Sequence, residues 1–135
     1  MNILITGGAG FIGSNLADAY LAAGHAVSVL DDFSGGKESN LPAGVTVYRG
    51  SIVDQAFVEE TLAACKPDLV SHHAAQVSVA VSSREPRFDA ELNVLGTITV
   101  IKAAVAAGVK KVLFSASGGT ASAGAPIAPR GTPPR

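Results

Sequence analysis

The feature that most constrains the fold is an apolar segment, residues 2–6, that runs directly into a glycine-rich turn. The glycines satisfy both G-x-G-x-x-G and G-x-x-G-x-x-G spacings and lie at Gly7, Gly8, Gly10 and Gly13. Such glycines allow a tight turn, a close approach of backbone to a pyrophosphate, and close packing of helix on strand. An acidic pair, Asp31 and Asp32, follows about 20 residues later, where dinucleotide-binding units carry a ribose-binding carboxylate. The sequence therefore predicts a strand–turn–helix unit whose helix N-terminus binds a dinucleotide; a glycine turn without a ligand is the alternative.

Predicted strands and helices alternate along the chain up to about residue 115. Apolar runs predict strands at residues 2–6, 26–30, 45–49, 69–72 and 110–115. Periodicity and capping signals predict helices at 11–23, 54–64 and 86–107, and residues 32–44 predict a loop with at most one turn of helix. Such alternation requires right-handed crossovers and a parallel sheet. We therefore expect a doubly wound α/β fold with strand order 3-2-1-4-5 and a ligand crevice between the carboxyl ends of strands 1 and 4.

Composition narrows the classes of partner. The net charge of −1 gives no electrostatic reason to expect nucleic acid or an anionic membrane as a partner. No apolar run reaches the length that spans a membrane. Cys65 is the single cysteine, so no disulfide forms within the chain and a cytoplasmic location is expected. The histidines, His25, His72 and His73, lack the spacing of metal ligands, and no metal is expected.

Two further segments indicate an assembly and a domain boundary. Residues 94–107 are apolar around most of the helix circumference, whereas a helix that covers one face of a sheet needs only one apolar stripe. This surplus predicts a homodimer through the 86–107 helix. After Ser117 the composition changes to Gly, Ala and Pro, and Ile127 is the only large apolar side chain that follows. Residues 1–117 are therefore expected to form the domain, and residues 118–135 a disordered tail.

Five segments in this order resemble the extended short-chain dehydrogenases/reductases, and among them the sugar-nucleotide epimerases and dehydratases. They are residues 6–14, 30–37, 73–76, 93–97 and 114–120, with the sequences TGGAGFIGS, LDDFSGGK, HAAQ, NVLGT and FSASGGT. The resemblance covers residues 1–120. It implies a Rossmann-like domain with NAD as cofactor and, for the whole enzyme, a nucleotide sugar whose C4 hydride is removed and returned.

The resemblance assigns cofactor contacts to individual residues. It implies that the backbone N–H groups of Phe11 and Ile12 bind the pyrophosphate, and that Asp31 accepts hydrogen bonds from the adenosine ribose hydroxyls. A carboxylate at that position repels a 2′-phosphate, so NAD is favoured over NADP. Further cofactor contacts are implied for Gly7, Gly10, Gly13, Asp32, Ser34, Gly36, Lys37, Ser51, Ile52, His73, Ala74, Ala75, Gln76 and Asn93.

Several of these assignments have a plainer alternative. Asp32 also fits a solvated neighbour of the ribose-binding carboxylate, and Lys37 fits a solvated loop lysine. His73 fits a strand-end histidine whose ring is satisfied by backbone groups. Asn93 fits a residue that fixes the loop at 74–76 as well as one that contacts the cofactor.

Departures from the family pattern limit the expected activity. Ser51 stands where the family usually has an Asp that contacts the adenine amine, which weakens base recognition. Ser117 falls on the family's catalytic Ser/Thr, which hydrogen-bonds the reacting sugar hydroxyl; a plain loop serine is the alternative. The family's acid/base motif, Tyr-x-x-x-Lys, has no counterpart, since neither Tyr20 nor Tyr48 is followed by Lys four residues later. The resemblance therefore implies a chain that lacks the C-terminal half and the sugar-nucleotide domain, and no catalysis by it alone is expected.

Three functions are compatible with this sequence. It fits the NAD-binding part of a nucleotide-sugar 4-epimerase or of a related 4,6-dehydratase, a noncatalytic dinucleotide-binding module, or a structural remnant that binds nothing. Residues 121–124 replace the Val-Tyr-Gly-like segment of the family, and the tail has the composition that a G+C-rich gene gives when read out of frame. A frameshift or truncation near residue 120 is therefore expected.

Overall fold

Five strands form a sheet in the computed structural model, which describes residues 1–116. They are β1 (Asn2–Thr6), β2 (Ala26–Asp31), β3 (Thr46–Arg49), β4 (Leu69–His72) and β5 (Lys111–Phe114). The strand order is β3-β2-β1-β4-β5, and every neighbouring pair is parallel, so the predicted sheet is confirmed. Ser117 and the predicted tail, residues 118–135, lie outside the described residues.

Helices connect the strands on both faces of the sheet. They are α1 (Phe11–Ala22), α2 (Gln55–Cys65), α3 (Val79–Arg84), α4 (Pro86–Ala90) and α5 (Thr97–Ala106), and a π-helical stretch (Glu91–Gly96) joins α4 to α5. The predicted 86–107 helix is therefore three helical segments in unbroken succession. A single 3₁₀ turn (Glu38–Asn40) lies in the predicted loop. No helix within residues 1–116 is both long and apolar enough to cross a membrane.

Helix α3 is the one α-helix of the described residues that the sequence analysis did not predict. Its sequence, VAVSSR, lacks the apolar periodicity that marks an amphipathic helix, and the structure correspondingly buries none of its side chains. Its local signal is the N-cap Ser78, whose hydroxyl accepts a hydrogen bond from the Val81 N–H at 3.3 Å. Helix α2 begins in the same way at Asp54, whose carboxylate accepts the Phe57 N–H at 3.1 Å.

Apolar side chains pack on both faces of the sheet. Along β1, Leu4 points to one face and Ile3 and Ile5 to the other, because successive side chains of a strand alternate. The first face packs against α2 and α5 through Leu4, Leu30, Ile52, Val58, Leu62, Val70, Val100, Ala103 and Ala104. The second face packs against α1 through Ile3, Ile5, Ala17, Val27, Val29 and Leu69. The connections after β1 and β4 thus leave toward opposite faces, which opens a crevice at the carboxyl ends of these strands.

Candidate functional site

A cleft of about 1080 Å³ lies at the carboxyl ends of the central strands. The predicted cofactor contacts that line it are Gly7, Gly10, Phe11, Ile12, Gly13, Asp31, Asp32, Ser34, Gly36, Ser51, Ile52, His73, Ala74, Ala75, Gln76 and Asn93. The structure does not bring Lys37 to this lining. Its side chain is exposed, and its backbone N–H donates to the Ala9 carbonyl at 3.2 Å. The cleft is thus formed by the turn after β1, the end of β2, the segment after β3 and the loop after β4.

Two glycines shape the turn because no side chain would fit. Gly7 has a φ of +69°, and a Cβ there would lie 2.6 Å from the backbone nitrogen of Ala74, in the loop after β4. A Cβ on Gly13 would overlap the carbonyl oxygen of Gly7, so its absence lets α1 pack closely on the turn. Gly10 differs, since a Cβ there would meet only the Gly7 oxygen, at 3.4 Å. The floor of the cleft at Gly10 is therefore bare backbone that a ligand can approach.

Helix α1 begins at the cleft. Its N-cap is Gly10, which makes no side-chain hydrogen bond, and the first turn of this helix carries no acidic side chain. The N–H groups of Phe11, Ile12 and Gly13 are among those that an α-helix leaves without an internal acceptor. Together with the positive end of the helix dipole, they favour an anion such as a diphosphate.

Asp31 is the buried acidic residue beside the glycine turn in the cleft wall. It is only 7% exposed, and its two carboxylate oxygens accept the N–H groups of Ala9 (2.9 Å) and Phe33 (2.8 Å). These bonds fix the carboxylate at the end of β2 and leave each oxygen a lone pair for a ligand hydroxyl. Asp32 is exposed and accepts the N–H and the hydroxyl of Ser34 at 2.9 Å and 2.6 Å, so its carboxylate closes a local turn at the rim.

The loop after β2 is held by contacts that the sequence analysis missed. Phe33 has a φ of +59°, and the guanidinium of Arg49 lies 4.0 Å from the centre of its ring. The same guanidinium pairs with Glu38 at 2.7 Å, and Asn40 Nδ2 donates to the Ala9 carbonyl at 2.8 Å. The loop is thereby fastened to both β3 and the glycine turn. No sequence pattern connects Phe33 with Arg49, because only the pairing of β2 with β3 makes them neighbours.

The loop after β4, residues 73–76, forms the opposite wall and is held by Asn93. Asn93 Oδ1 accepts the N–H of Gln76 at 2.8 Å, and Asn93 Nδ2 donates to the Gln76 carbonyl at 2.9 Å. Asp89 Oδ1 accepts from Asn93 Nδ2 (3.2 Å) and from Gln76 Nε2 (2.8 Å). Asn93 thus fixes the loop, which is one of the two roles that the sequence left open. Asp89 was not among the site residues predicted from the sequence.

A buried histidine lines the cleft between β1 and α5. His72 ends β4 and is only 2% exposed. Its Nδ1 lies 2.6 Å from Thr6 Oγ1, and its Nε2 lies 3.0 Å from Thr97 Oγ1. Burial, and to a smaller extent the neighbouring His73, lowers the pKa of His72 to about 4, so the ring is neutral near pH 7. The sequence suggested no role for His72 other than metal ligation, because its two hydroxyl partners become neighbours only through the strand order and the packing of α5.

His73 also lines the cleft. Its Nε2 lies 2.8 Å from the hydroxyl of Ser71, and its Nδ1 lies 2.8 Å from the hydroxyl of Ser115. The ring partners are therefore serine hydroxyls rather than the backbone groups of the plainer prediction. Burial lowers the pKa of His73, so the cleft wall carries a neutral hydrogen-bonding ring here.

Comparison with known proteins decides the family. The family model described as NAD dependent epimerase/dehydratase matches residues 3–134, nearly the whole chain. This chain belongs to the NAD-dependent epimerase/dehydratase family. The expectation drawn from the five sequence segments is thereby confirmed.

Similar curated members of the epimerase/dehydratase family are UDP-glucose 4-epimerases. The enzyme of Mycolicibacterium smegmatis is 46% identical over 125 residues, which cover 89% of this chain and 40% of that protein. The enzyme of Rhizobium meliloti is 39% identical over 116 residues, which cover 86% of this chain and 35% of that protein. The chain therefore spans 35–40% of the length of these two relatives.

Solved structures of the same family match the fold. The UDP-glucose 4-epimerase of Thermotoga maritima, with UDP-glucose, is 44% identical with a TM-score of 0.86, covering 88% of this chain and 38% of that one. The UDP-glucose 4-epimerase of Thermus thermophilus, in complex with NAD, is 44% identical with a TM-score of 0.82, covering 84% of this chain and 37% of that one.

Neither tyrosine of this epimerase/dehydratase chain lines the cleft. Tyr20 lies on α1 and packs against the Ile3 face of the core, and Tyr48 lies on β3. Within residues 1–116 the cleft therefore presents no phenol that could act as an acid or base. Ser117, the predicted catalytic serine, lies outside these residues.

The segment after β3 forms the end of the cleft beside Asp31. The Gly50 N–H donates to the Asp31 carbonyl at 3.0 Å, which sets Ser51 and Ile52 at the cleft. Ile52 is 3% exposed and belongs to the core, whereas the Ser51 hydroxyl accepts the Val53 N–H at 3.4 Å. Ser51 thus offers a short neutral side chain to a ligand at this end.

Proposed function

We propose that this chain is the NAD-binding part of a nucleotide-sugar epimerase similar to UDP-glucose 4-epimerase. The observation that carries the proposal is one cleft that combines the open N-terminus of α1, a floor of glycine backbone and the buried carboxylate of Asp31. These are the groups that the pyrophosphate and ribose of a dinucleotide require. The NAD dependence of the family, and the complex of a similar epimerase with NAD, support the choice of cofactor.

The residues present fit NAD. The N–H groups of Phe11 and Ile12 bind the pyrophosphate beside Gly10, where a side chain would fill the space. Asp31 accepts the ribose hydroxyls, and its buried negative charge repels the 2′-phosphate of NADP. Residues 73–76 orient the nicotinamide end. When bound, NAD supplies the acceptor that takes a hydride from C4 of the sugar and returns it.

The chain alone is proposed to bind and orient the cofactor without turnover. The position of both tyrosines away from the cleft supports this, since the sugar hydroxyl has no phenol to exchange its proton with among the described residues. Incubation of pure protein with NAD and UDP-glucose tests this part. We expect no UDP-galactose; its formation would overturn the noncatalytic part and leave the NAD-binding part standing.

A calorimetric titration with NAD, with NADP as comparator, tests the binding proposal. Bound cofactor is assayed first, because a cofactor carried through purification would mask binding. We expect one NAD per chain and an affinity for NADP at least roughly tenfold lower, which is about 1.4 kcal/mol. A folded, cofactor-free protein that binds neither dinucleotide would favour the structural remnant, and a preference for NADP would contradict the role of Asp31.

We further propose a homodimer through the outer face of the 86–107 helix. The inner face of α5 is buried through Val100, Ala103 and Ala104. The outer face exposes Ile98 by 48%, Ile101 by 40% and Val105 by 73%, at spacings of three and four residues. This is the spacing of a helix–helix seam, and a second copy offers the same stripe in an isologous contact.

Sedimentation of two variants tests the homodimer. The double variant Ile98→Glu/Ile101→Glu should be a monomer, because it places charges in the seam. Val47→Glu, at an exposed apolar position of the edge strand β3, is the matched control and should remain a dimer. A wild-type protein that sediments as a monomer at micromolar concentration would show that this part of the proposal is wrong.

We propose a cytoplasmic location for the chain. Cys65 is half-buried, and burial raises the pKa of its thiol to about 11. The thiol therefore stays protonated and unreactive. The fold uses no disulfide within the described residues and so does not require an oxidising compartment.

A further inference from the structure

Helix α5 is connected to the glycine turn by hydrogen bonds that pass through the buried ring of His72. The hydroxyl of Thr97 donates to the Asn93 carbonyl at 2.8 Å. His72 Nε2 lies 3.0 Å from Thr97 Oγ1, and His72 Nδ1 lies 2.6 Å from Thr6 Oγ1. The ring therefore bridges two hydroxyls that belong to different layers of the fold.

The far end of this path reaches both walls of the cleft. Thr6 Oγ1 accepts the N–H groups of His73 at 3.2 Å and Ala74 at 3.3 Å, at the start of the loop after β4. Thr6 is followed directly by Gly7, where a Cβ would lie 2.6 Å from the Ala74 nitrogen. The Thr6 hydroxyl thus sits at the point where the glycine turn and the 73–76 loop meet.

The directions of these bonds determine the tautomer of His72. The single hydroxyl hydrogen of Thr97 is given to the Asn93 carbonyl, so Thr97 Oγ1 can only accept from the ring, and Nε2 must carry a hydrogen. Thr6 Oγ1 accepts the Ala74 N–H and shares the His73 N–H with the Thr6 carbonyl, which lies 3.0 Å from the His73 nitrogen, so both of its lone pairs face donors and its own hydrogen points to Nδ1. Nδ1 is therefore a bare acceptor, and the ring is neutral.

We propose that His72, as the neutral Nε2–H tautomer, is a positioning residue for the dinucleotide. It sets the direction of the bonds on both sides and so holds the glycine turn against the 73–76 loop. A ring with a hydrogen on Nδ1 would turn the Thr6 hydroxyl away and compete with the N–H groups of His73 and Ala74. This inference rests on the proposed binding of NAD, but the geometry that it describes belongs to the free protein as well.

The tautomer is measured directly by nitrogen NMR of protein labelled at histidine, free and with NAD. At neutral pH we expect the Nδ1 of His72 to resonate as an unprotonated imidazole nitrogen and Nε2 as a protonated one. Observation of the Nδ1–H tautomer or of an imidazolium would overturn the proposal whether or not the protein binds NAD. Failure of NAD binding with the expected tautomer would instead count against the proposed function alone.

Variants at Thr97 test the coupling to the cofactor. Thr97→Val removes the acceptor of the Nε2 hydrogen, and we expect it to weaken NAD binding about tenfold and to speed exchange of the Ala74 amide hydrogen. Thr97→Ser keeps the hydroxyl and should bind NAD within about twofold of the wild type. Thr99→Val, which removes a hydroxyl two residues away on the same helix, should leave both readings unchanged.

Three results would overturn the coupling. They are NAD binding by Thr97→Val at wild-type affinity, an Ala74 amide that stays protected in that variant, and a Thr97→Ser variant as weak as Thr97→Val. The second result, if it comes with a loss of affinity and an unchanged His72 tautomer, would mean that Thr97 acts by direct contact with NAD. If Thr97→Val does not fold, the comparison of Thr97→Ser with the wild type and the tautomer measurement decide.

Discussion

At Gly7 two steric requirements coincide, a left-handed backbone and a backbone neighbour where a side chain would begin. We expect Gly7→Ala to destabilise the fold by a few kcal/mol. The added Cβ would clash with the Ala74 backbone, and the positive φ of this position is unfavourable for alanine. Gly24→Ala is the matched control: its φ is +81°, but no atom lies within 4 Å of the added Cβ. It should cost only about 1–2 kcal/mol. Urea unfolding measures the free energy of unfolding of both variants. Equal decreases in that free energy would mean that the clash with Ala74 contributes nothing.

One N–H group at the start of α1 can be deleted with little other change. Phe11→Pro removes the Phe11 N–H at the first helical position, which tolerates proline, and Gly10 before it is already extended with ψ of 175°. The Phe11 side chain is 85% exposed, so its loss disturbs little packing. We expect NAD binding to weaken roughly tenfold in Phe11→Pro, and to stay near wild type in Phe11→Ala, which keeps the N–H. Equal affinities of the two variants in calorimetry would remove the pyrophosphate role of this group.

The position of Asp31 in the cleft could be predicted from the sequence, whereas the pairs of residues that support the cleft could not. Asp31 follows the glycines by one strand–helix–strand unit, and that spacing is a property of local structure. His72 acts through Thr6 on the neighbouring strand β1, and Arg49 acts through Phe33 in the loop after the neighbouring strand β2. Such pairs depend on strand order and register, which periodicity alone does not supply.

At the scale of elements, the helical run from α4 to α5 positions one wall of the cleft. Its π-helical stretch carries Asn93. The Asn93 side chain hydrogen-bonds both the N–H and the carbonyl of Gln76, as the backbone of a neighbouring strand would. The sequence predicted a long helix here because its apolar residues recur with helical spacing. It did not predict the π-helical stretch, because a one-residue widening of a turn leaves no distinct composition.

The Gln76 amide reports on this contact. Asn93→Ala removes the oxygen that accepts the backbone N–H of Gln76. We therefore expect the backbone amide hydrogen of Gln76 to exchange at least roughly tenfold faster, while the exchange rates of the β4 amides stay unchanged. Asp54→Ala, which frees the Phe57 N–H at the start of α2, is the control and should leave Gln76 protected. Hydrogen exchange followed by NMR makes the measurement. An unchanged rate at Gln76 in Asn93→Ala would mean that the loop is held by other contacts.

For the whole molecule, the buried histidines predict a stability that depends on pH. Burial lowers the pKa of His72 from 6.5 to about 4 and lowers that of His73 as well. The groups that face His72 from β1, β5 and α5 are Thr6, Phe114 and Thr97, which do not titrate in this range. The unfolded chain therefore binds more protons than the folded one between pH 4 and 6.5. The contribution of the neutral histidines to the free energy of unfolding is fully present above that interval and is lost as the pH falls through it.

We expect His72 to contribute a loss of roughly 2 kcal/mol in the free energy of unfolding between about pH 8 and about pH 5. Urea unfolding at these two pH values measures it. His25→Gln, a change at the start of β2 and away from the cleft, should keep the same difference. Equal stability of the wild type at the two pH values would contradict the buried, neutral state of His72.

The sheet order could be predicted because alternating strands and helices admit few right-handed arrangements. The placement of nearly all expected cofactor contacts around one cleft follows from that order, since the carboxyl ends of parallel strands share one edge. The exposed position of Lys37 did not follow, because a polar loop has no pattern that fixes which way its side chains point.

The hydrogen bond between Thr6 and His72 joins residues that are 66 positions apart in the sequence. During synthesis this bond can form only after the fourth strand has been made. The glycine turn leaves the ribosome well before Ala74, the residue that closes it. Until then β1 has β2 as a neighbour on one side and an open edge on the other. Contacts of such sequence separation form slowly, because a long loop must close first. The glycine turn is therefore synthesised well before it acquires its binding shape, and NAD can assist folding only after the fourth strand is in place.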